Sequence, residues 1–221
     1  TIVMPETECR TIAGVGGANI SGAATRQIQI QLDPDAMRAY NIAPPIVIAA
    51  LAAFAAVLPA AHAATLTVGP GRSFATPCQA FAAAADADVI EIDAAGNYAA
   101  DVCAIWPNAL TIRGVNGRPV LNAAGRSAEG KAIWVIKGQS TTVDNLEFTG
   151  AAVPDRNGAG IRQEGRHLTV RNAYFHHNEN GILSGADALS DIVVEHSEFA
   201  FNGAGDGGTH NLYIGHVRSF T

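Results

Sequence analysis

Charge is scarce in this chain. Of its 221 residues only 15% are Asp, Glu, Lys or Arg, and the formal net charge is −6. No basic stripe runs along the sequence, so nothing is available to displace counterions from a phosphate backbone, and nucleic acid is excluded as a partner. Aromatic residues make up 6% and cysteines number three, too few for a disulfide-dense miniature scaffold. Long hydrophobic runs are missing too. Residues 39–71 contain no Asp, Glu, Lys or Arg, yet their apolar heart, Ile46 to Leu58, is only 13 residues long. That is short for a membrane span and of the length of a signal-peptide h-region. What the chain does have is apolar mass, 48% of residues by type, ample for a core.

It also has a repeat. Val143-Asp-Asn145-Leu-Glu-Phe148, Val170-Arg-Asn172-Ala-Tyr-Phe175 and Val194-Glu-His196-Ser-Glu-Phe199 are one six-residue phrase, returning after 27 and then 24 residues. A second short apolar strand lies near each phrase: Ala132 to Val135, Gly160-Ile161, Gly181-Ile182 and Asn211 to Ile214. A period of this size marks a solenoid, propeller or array, and Val/Ile/Phe-rich segments with alternate inward positions are strands. The expected fold is all-β, the coils of a parallel β-helix. Val and Phe of each phrase are expected to point inward and stack. Asn145, Asn172 and His196 are expected to form an amide ladder that satisfies tight turns.

Two unlike pieces are joined here. Upstream, the alternating Ile28, Ile30 and Leu32 make a strand, Asp33-Pro34 breaks it, and Pro34 to Tyr40 suits a short helix. Next comes the apolar run, and Pro59-Ala-Ala-His62-Ala63-Ala64 supplies small residues of the kind a signal peptidase reads, with cleavage expected near Ala63 or Ala64. The alternative for that run is a buried Ala-rich helix. Downstream, Thr65 to Val68 is a strand, and Thr76-Pro77-Cys78-Gln79 opens a helix with an N-cap Thr, Pro at the first position and a capping-box Gln. Phe81 and its neighbouring alanines suit that helix to cover the open end of the first coil. Cys78 and Cys103 both follow the cleavage site and are expected to pair, a closure that stabilises by about 3.5 kcal/mol in the chain-entropy model. Cys9 stays apart. Since the chain stops at Thr221 directly after a strand, further coils are expected beyond it.

The two pieces resemble different families. The segment around residues 12–52, with its strand ending in Leu32-Asp33-Pro34 and its Ala39-Tyr40-Asn41-Ile42-Ala43-Pro44 turn, is similar to a periplasmic segment of resistance-nodulation-division efflux permeases. It carries none of their transmembrane helices or proton-relay carboxylates. Residues 65–221 resemble secreted bacterial right-handed parallel β-helix proteins of the pectate-lyase-like superfamily. Together these give an efflux-permease-like fragment over 1–45, a signal-peptide-like segment over 46–64, and a right-handed parallel β-helix over 65–221, truncated at its C-terminus. The second resemblance implies a secreted or periplasmic monomer that binds extracellular carbohydrate, without a stable membrane span once the signal is cleaved.

Chemistry is expected in three places. Asp206-Gly-Gly-Thr-His210-Asn211-Leu-Tyr213 is the densest polar constellation, and it looks like a His-Asn-x-Tyr signature of some secreted β-helix proteins. Asp206 and His210 are the candidate catalytic pair, with Asn211 and Tyr213 on the substrate side. Arg162, Glu164 and Arg166 fall on one face by period-two geometry, as a surface ladder or as a site for uronate carboxylates. His176-His177-Asn178-Glu179-Asn180 reads as a solvated turn, since adjacent histidines on a strand point to opposite faces and do not easily share a metal; the alternative is a metal held by His176 or His177 with Glu179. Polysaccharide lysis needs a carboxylate neutraliser, Ca²⁺ or Arg, and a base; glycoside hydrolysis needs two carboxylates at defined separation. No Asp cluster in the chain resembles the calcium cradle of pectate lyases, so no metal ligand is assigned. A non-enzymatic surface solenoid is the competing reading.

Overall fold

A computed structural model of the chain describes residues 15–21, 27–32, 34–39, 63–205 and 207–221. They belong to two compact units, one within 1–62 and one over 63–221. In the first, β1 (Val15–Ser21) pairs antiparallel with β2 (Gln27–Leu32), and α1 (Pro34–Ala39) follows. The strand read over Ile28 to Leu32 and the helix read from Pro34 are present, while Asp33 and Tyr40 lie outside the described residues. Cys9 and the apolar run from 46 to 62, on which the signal peptide rests, lie outside the described residues. Among the described residues no helix is long and apolar enough to cross a membrane.

The second unit runs β3 (Thr65–Val68), α2 (Pro77–Ala83), β4 (Val89–Asp93), β5 (Cys103–Ile105), β6 (Thr111–Val115), β7 (Val120–Asn122), β8 (Ala132–Ile136), β9 (Thr141–Asp144), β10 (Glu147–Thr149), β11 (Ala159–Gln163), β12 (Leu168–Arg171), β13 (Tyr174–His176), β14 (Asn180–Ser184), β15 (Asp187–Glu195), β16 (Glu198–Ala200), β17 (Leu212–Tyr213) and β18 (Val217–Phe220). These strands form three parallel sheets: β3-β4-β6-β9-β12-β15-β18, β5-β8-β11-β14-β17, and β7-β10-β13-β16. Successive strands of one sheet are one coil apart in the chain, so the unit is an all-β parallel solenoid of about six turns.

The six-residue phrase is a corner of this solenoid. Its Val lies in the largest sheet, where Val143, Val170 and Val194 are in register, and its Phe in the smallest, where Phe148, Phe175 and Phe199 are in register. Between the two the backbone must turn within two residues, and the residue that turns it is Asn145, Asn172 or His196, with φ of 57°, 53° and 47°. Asn and, to a lesser degree, His tolerate this left-handed conformation, which the β-branched residues around them do not. The expected amide-to-amide ladder does not form at this position. Instead, Asn145 Nδ2 donates to Gly114 O (3.1 Å) and Gly117 O (2.7 Å), and Asn172 Nδ2 to Asp144 Oδ1 (2.8 Å), so each corner is tied to the coil before it.

The ladder sits three residues after the Phe. Asn178 Nδ2 donates to Phe148 O (3.0 Å) and to Asn202 Oδ1 (3.1 Å), and Asn178 Oδ1 accepts Ala151 N–H (2.9 Å). One coil further, Asn202 Nδ2 donates to Phe175 O (2.9 Å) and Asn211 Oδ1 (3.0 Å). Asn178 and Asn180 are buried, which corrects the reading of a solvated turn for these two residues, while His177 is exposed. A turn can go inside only when its backbone groups find partners, and the ladder supplies them.

An aromatic column fills the interior. Phe148, Phe175 and Phe199 stack nearly parallel at 4.8 and 4.9 Å, continued edge-on by Trp134 at 5.0 Å and Phe81 at 5.1 Å. Parallel in-register strands set the rise per coil at about 4.8 Å, and that spacing is a stacking distance, so one Phe per coil becomes a continuous stack. Phe81 comes from α2, whose Pro77, Ala80 and Phe81 are buried over the first coil as expected of a cap. Thr76 is the N-cap residue but its side chain makes no capping bond; Gln79 Oε1 instead accepts Ala75 N–H (3.1 Å). Cys78 on α2 is disulfide-bonded to Cys103 on β5, with Cα atoms 5.9 Å apart, so the cap is fastened to the first full coil.

Candidate functional site: a charged and aromatic corner row

Each strand of the five-stranded sheet leaves through the same corner. Ile105, Ile136 and Gln163 are in register, so the residues that follow, Trp106, Lys137 and Glu164, form a row up three consecutive coils. Lys137 N–H and Glu164 N–H each bond the preceding coil, to Ile105 O and Ile136 O at 2.8 Å. Close stacking here requires glycine: a Cβ on Gly138 would lie 2.0 Å from Pro107 O, and one on Gly165 would lie 1.9 Å from Gly138 O. The two glycines let neighbouring turns touch and bring the long side chains beside them together.

Lys137 Nζ stands 5.6 Å from the centre of the Trp106 ring, 2.5 Å from Glu164 Oε2 and 2.8 Å from Glu129 Oε2. Lys131 Nζ reaches Glu164 Oε1 (2.7 Å) and Glu129 Oε2 (3.4 Å). Burial pushes the Glu164 carboxyl up, but the two ammonium groups outweigh it and hold the group below the ordinary glutamate value. Hydrogen bonds to Glu129 and then Glu164 raise Lys137. Glu164 is therefore ionised at neutral pH. It balances charge and positions its neighbours, and it has no proton to give a leaving group.

Arg162 lies at the edge of this network. Its Nε is 3.7 Å from Glu164 Oε1 and makes no hydrogen bond, although that atom is out of solvent. Trp106, at the head of the row, is 68% exposed. An uncovered indole and, two coils along the same sheet, a partly exposed guanidinium offer a flat apolar face and an anion donor on one lateral surface.

The expected site residues divide accordingly. Arg162 and Glu164 come together. Arg166 does not join them: it lies in the turn beyond Gly165, where its Nε pairs with Asp187 Oδ2 at 2.5 Å, because period-two alternation ends where the strand ends. Tyr213 shares the column of Arg162, two coils on, with the buried Leu183 between them. His210 is exposed, its ring stacked on that of Tyr213 at 5.6 Å, and its N–H donates to Asn180 Oδ1 (2.8 Å). Asn211 is engaged by the amide ladder through Asn202, which gives it a structural partner. Asp206 lies outside the described residues, so the expected Asp206–His210 pair is not placed. Trp106, Lys131, Lys137 and Glu129 were missed by the sequence reading. The available signal was a Gly two residues after β8 and after β11, at Gly138 and Gly165, which aligns Lys137 with Glu164.

A shallow groove on the largest sheet is lined by Thr67, Arg72, Glu91, Val115 and Asn116. Its charges are consumed internally, Arg72 by Asp93 (2.7 Å) and Glu91 by Arg113 (2.6 Å). Among the described residues no group of three or more His, Cys, Asp or Glu converges to hold a metal ion.

The fold and this corner define a parallel β-solenoid with a lateral charged and aromatic row. No family model, no curated protein and no solved structure matches the chain.

Proposed function

We propose that the solenoid binds an extracellular acidic polysaccharide along this corner, with the Trp106 ring as a platform for one sugar and Arg162 as the partner of a uronate carboxylate one or two residues away. The observation that carries the reading is a partly exposed Arg162 side chain, its Nε without a hydrogen bond, on the same sheet as a largely exposed indole two coils away. A guanidinium with one donor unpaired gains a charge-assisted bond once a shift of its side chain opens that donor to a carboxylate. The sheet continues from β5 to β17 over about 19 Å at ordinary strand spacing, and Tyr213 with His210 stands at its far end, so an extended polymer has a second aromatic contact.

The Cys78–Cys103 bridge supports an exported protein, since structural disulfides persist in oxidising compartments. At the corner the reading is one of binding, with Glu164 balancing the charge of two lysines beside the ligand face. The resemblance to pectate-lyase-like solenoids supports a carbohydrate ligand and a right-handed coil.

The test is calorimetric titration with oligogalacturonate and with a neutral oligosaccharide of equal length. Oligogalacturonate is expected to bind more tightly, and Trp106→Ala and Arg162→Ala each to weaken it tenfold or more, about 1.4 kcal/mol. Unchanged affinity in both variants removes the corner as the binding site.

A further inference from the structure

The smallest sheet carries a different constellation on its outer face. His176 ends β13, where strand alternation puts it outside, and His177 follows in the left-handed conformation at φ 52°. Gly150 and Phe201, one coil below and one above, occupy the same position with φ of 78° and 54°. The corner belongs to the solenoid, and its consequence for two adjacent histidines is that alternation fails. Their rings, expected to diverge, meet with Nδ1 atoms 2.7 Å apart.

Both rings are held in place. His176 Nε2 lies 2.9 Å from Glu147 Oε1, and a carboxylate there makes Nε2 the protonated nitrogen, leaving a lone pair on His176 Nδ1. Tyr174 stacks on the His176 ring at 4.4 Å and Phe201 on the His177 ring at 5.2 Å. Thr149 Oγ1, in register on the neighbouring coil, is 3.3 Å from His176 Nδ1. Two imidazole nitrogens and a hydroxyl thus converge at the surface, with a carboxylate behind the first imidazole.

We propose that His176 and His177 bind one borderline transition-metal ion, Zn²⁺ or Cu²⁺, through their Nδ1 atoms, the proton that His177 Nδ1 donates to His176 Nδ1 moving to His177 Nε2 as the metal takes its place, with Thr149 Oγ1 beside it and water completing the shell. With metal–nitrogen bonds of about 2.1 Å, adjacent donors in octahedral or tetrahedral sites sit roughly 3.0–3.4 Å apart. The separations found, 2.7 and 3.3 Å, reach that range with a few tenths of an ångström of opening. Imidazole pairs suit Zn²⁺ and Cu²⁺ and not Ca²⁺ or Mg²⁺, which prefer oxygen shells. The carboxylate on the far nitrogen is the outer partner that metal-bound histidines use to fix their tautomer and raise their basicity. This site is on another face from the Trp106 corner and stands whether or not that corner binds polysaccharide.

The experiment is calorimetric titration of the tag-free, chelator-stripped full chain with ZnCl₂ and with CuCl₂. One equivalent of saturable binding is expected. It should weaken at least tenfold in His176→Gln and in His177→Asn, the latter chosen because Asn tolerates the left-handed backbone. Glu147→Gln should cost 10- to 100-fold through its outer role, while His216→Ala, at an exposed histidine, should leave metal binding unchanged. In the Cu²⁺ form, electron paramagnetic resonance should report two imidazole nitrogens. The absence of saturable uptake of either metal, or uptake that survives both histidine variants, overturns the proposal.

Discussion

Phe175 occupies the middle of the aromatic column, fully buried between two nearly parallel rings at 4.8 and 4.9 Å. Its replacement by Ala removes most of a side chain that buries about 150–250 Å², equivalent to about 4–6 kcal/mol at 25 cal/mol/Å² for the whole group. Two stacking contacts of about 0.5–1.5 kcal/mol each go with it. The Ala methyl retains part of the buried area, whereas collapse into the hole is restrained because β13 is fixed on both sides by parallel ladders to β10 and β16. The expected loss is about 3–5 kcal/mol, the usual range for a buried Phe reduced to Ala. Urea unfolding followed by far-ultraviolet circular dichroism measures it, as a lower midpoint with the slope unchanged. Phe201→Ala is the internal reference, since that ring is 77% exposed and should cost only about 0.5 kcal/mol. A loss at Phe175 below about 1.5 kcal/mol, or one equal to that at Phe201, would refute the stacked-core argument.

Asn178→Leu should destabilise by about 2–3 kcal/mol, because Phe148 O and Ala151 N–H lose their buried partner while the side-chain volume is kept; the same urea series reads it, and a cost under about 0.5 kcal/mol would show that the ladder is dispensable. Asp93 gives a pH signature. Its carboxylate accepts Ala95 N–H and bonds Arg72 and Asn116, which lower its pKa from 3.8 to about 2. A group depressed on folding stabilises above its unfolded value and loses that contribution as pH falls through the folded one, so the melting temperature should drop between pH 4 and pH 2. Asp93→Asn should flatten the drop in that window, and a parallel profile in both proteins would assign the acid sensitivity elsewhere.

How far the sequence alone reached is clearest at its repeats. The Val and Phe of each phrase were legible as inward positions because a parallel solenoid repeats one environment every coil, and the chain must then repeat one residue type. The cap helix was legible for a local reason, since the turn chemistry around Thr76 and Pro77 and the apolar Phe81 face sit within a few residues of each other, whereas the Cys78–Cys103 bridge was legible because both cysteines follow the expected cleavage site. Asn145 and Asn172 were correctly seen as turn residues, but their partners were not, since a side-chain amide in a left-handed corner bonds whichever carbonyl the preceding coil presents.

Only the stacked coils decided the rest. Trp106, Lys137 and Glu164 are spread over 59 positions of the chain and share no pattern; they meet because a strand's end in one coil lies directly over its end in the next. Arg166 was separated from Arg162 by the turn that ends the strand, and Asn178 was taken inside by a ladder that exists only between coils. His176 and His177 were read as opposed because a strand opposes neighbours, and they converge because the corner after β13 gives His177 a positive φ. The sequence by itself determined which residues face inward in each coil, since that follows from alternation within one strand. Which polar side chains meet outside is set by the registry between coils and by the corners, and both are tertiary.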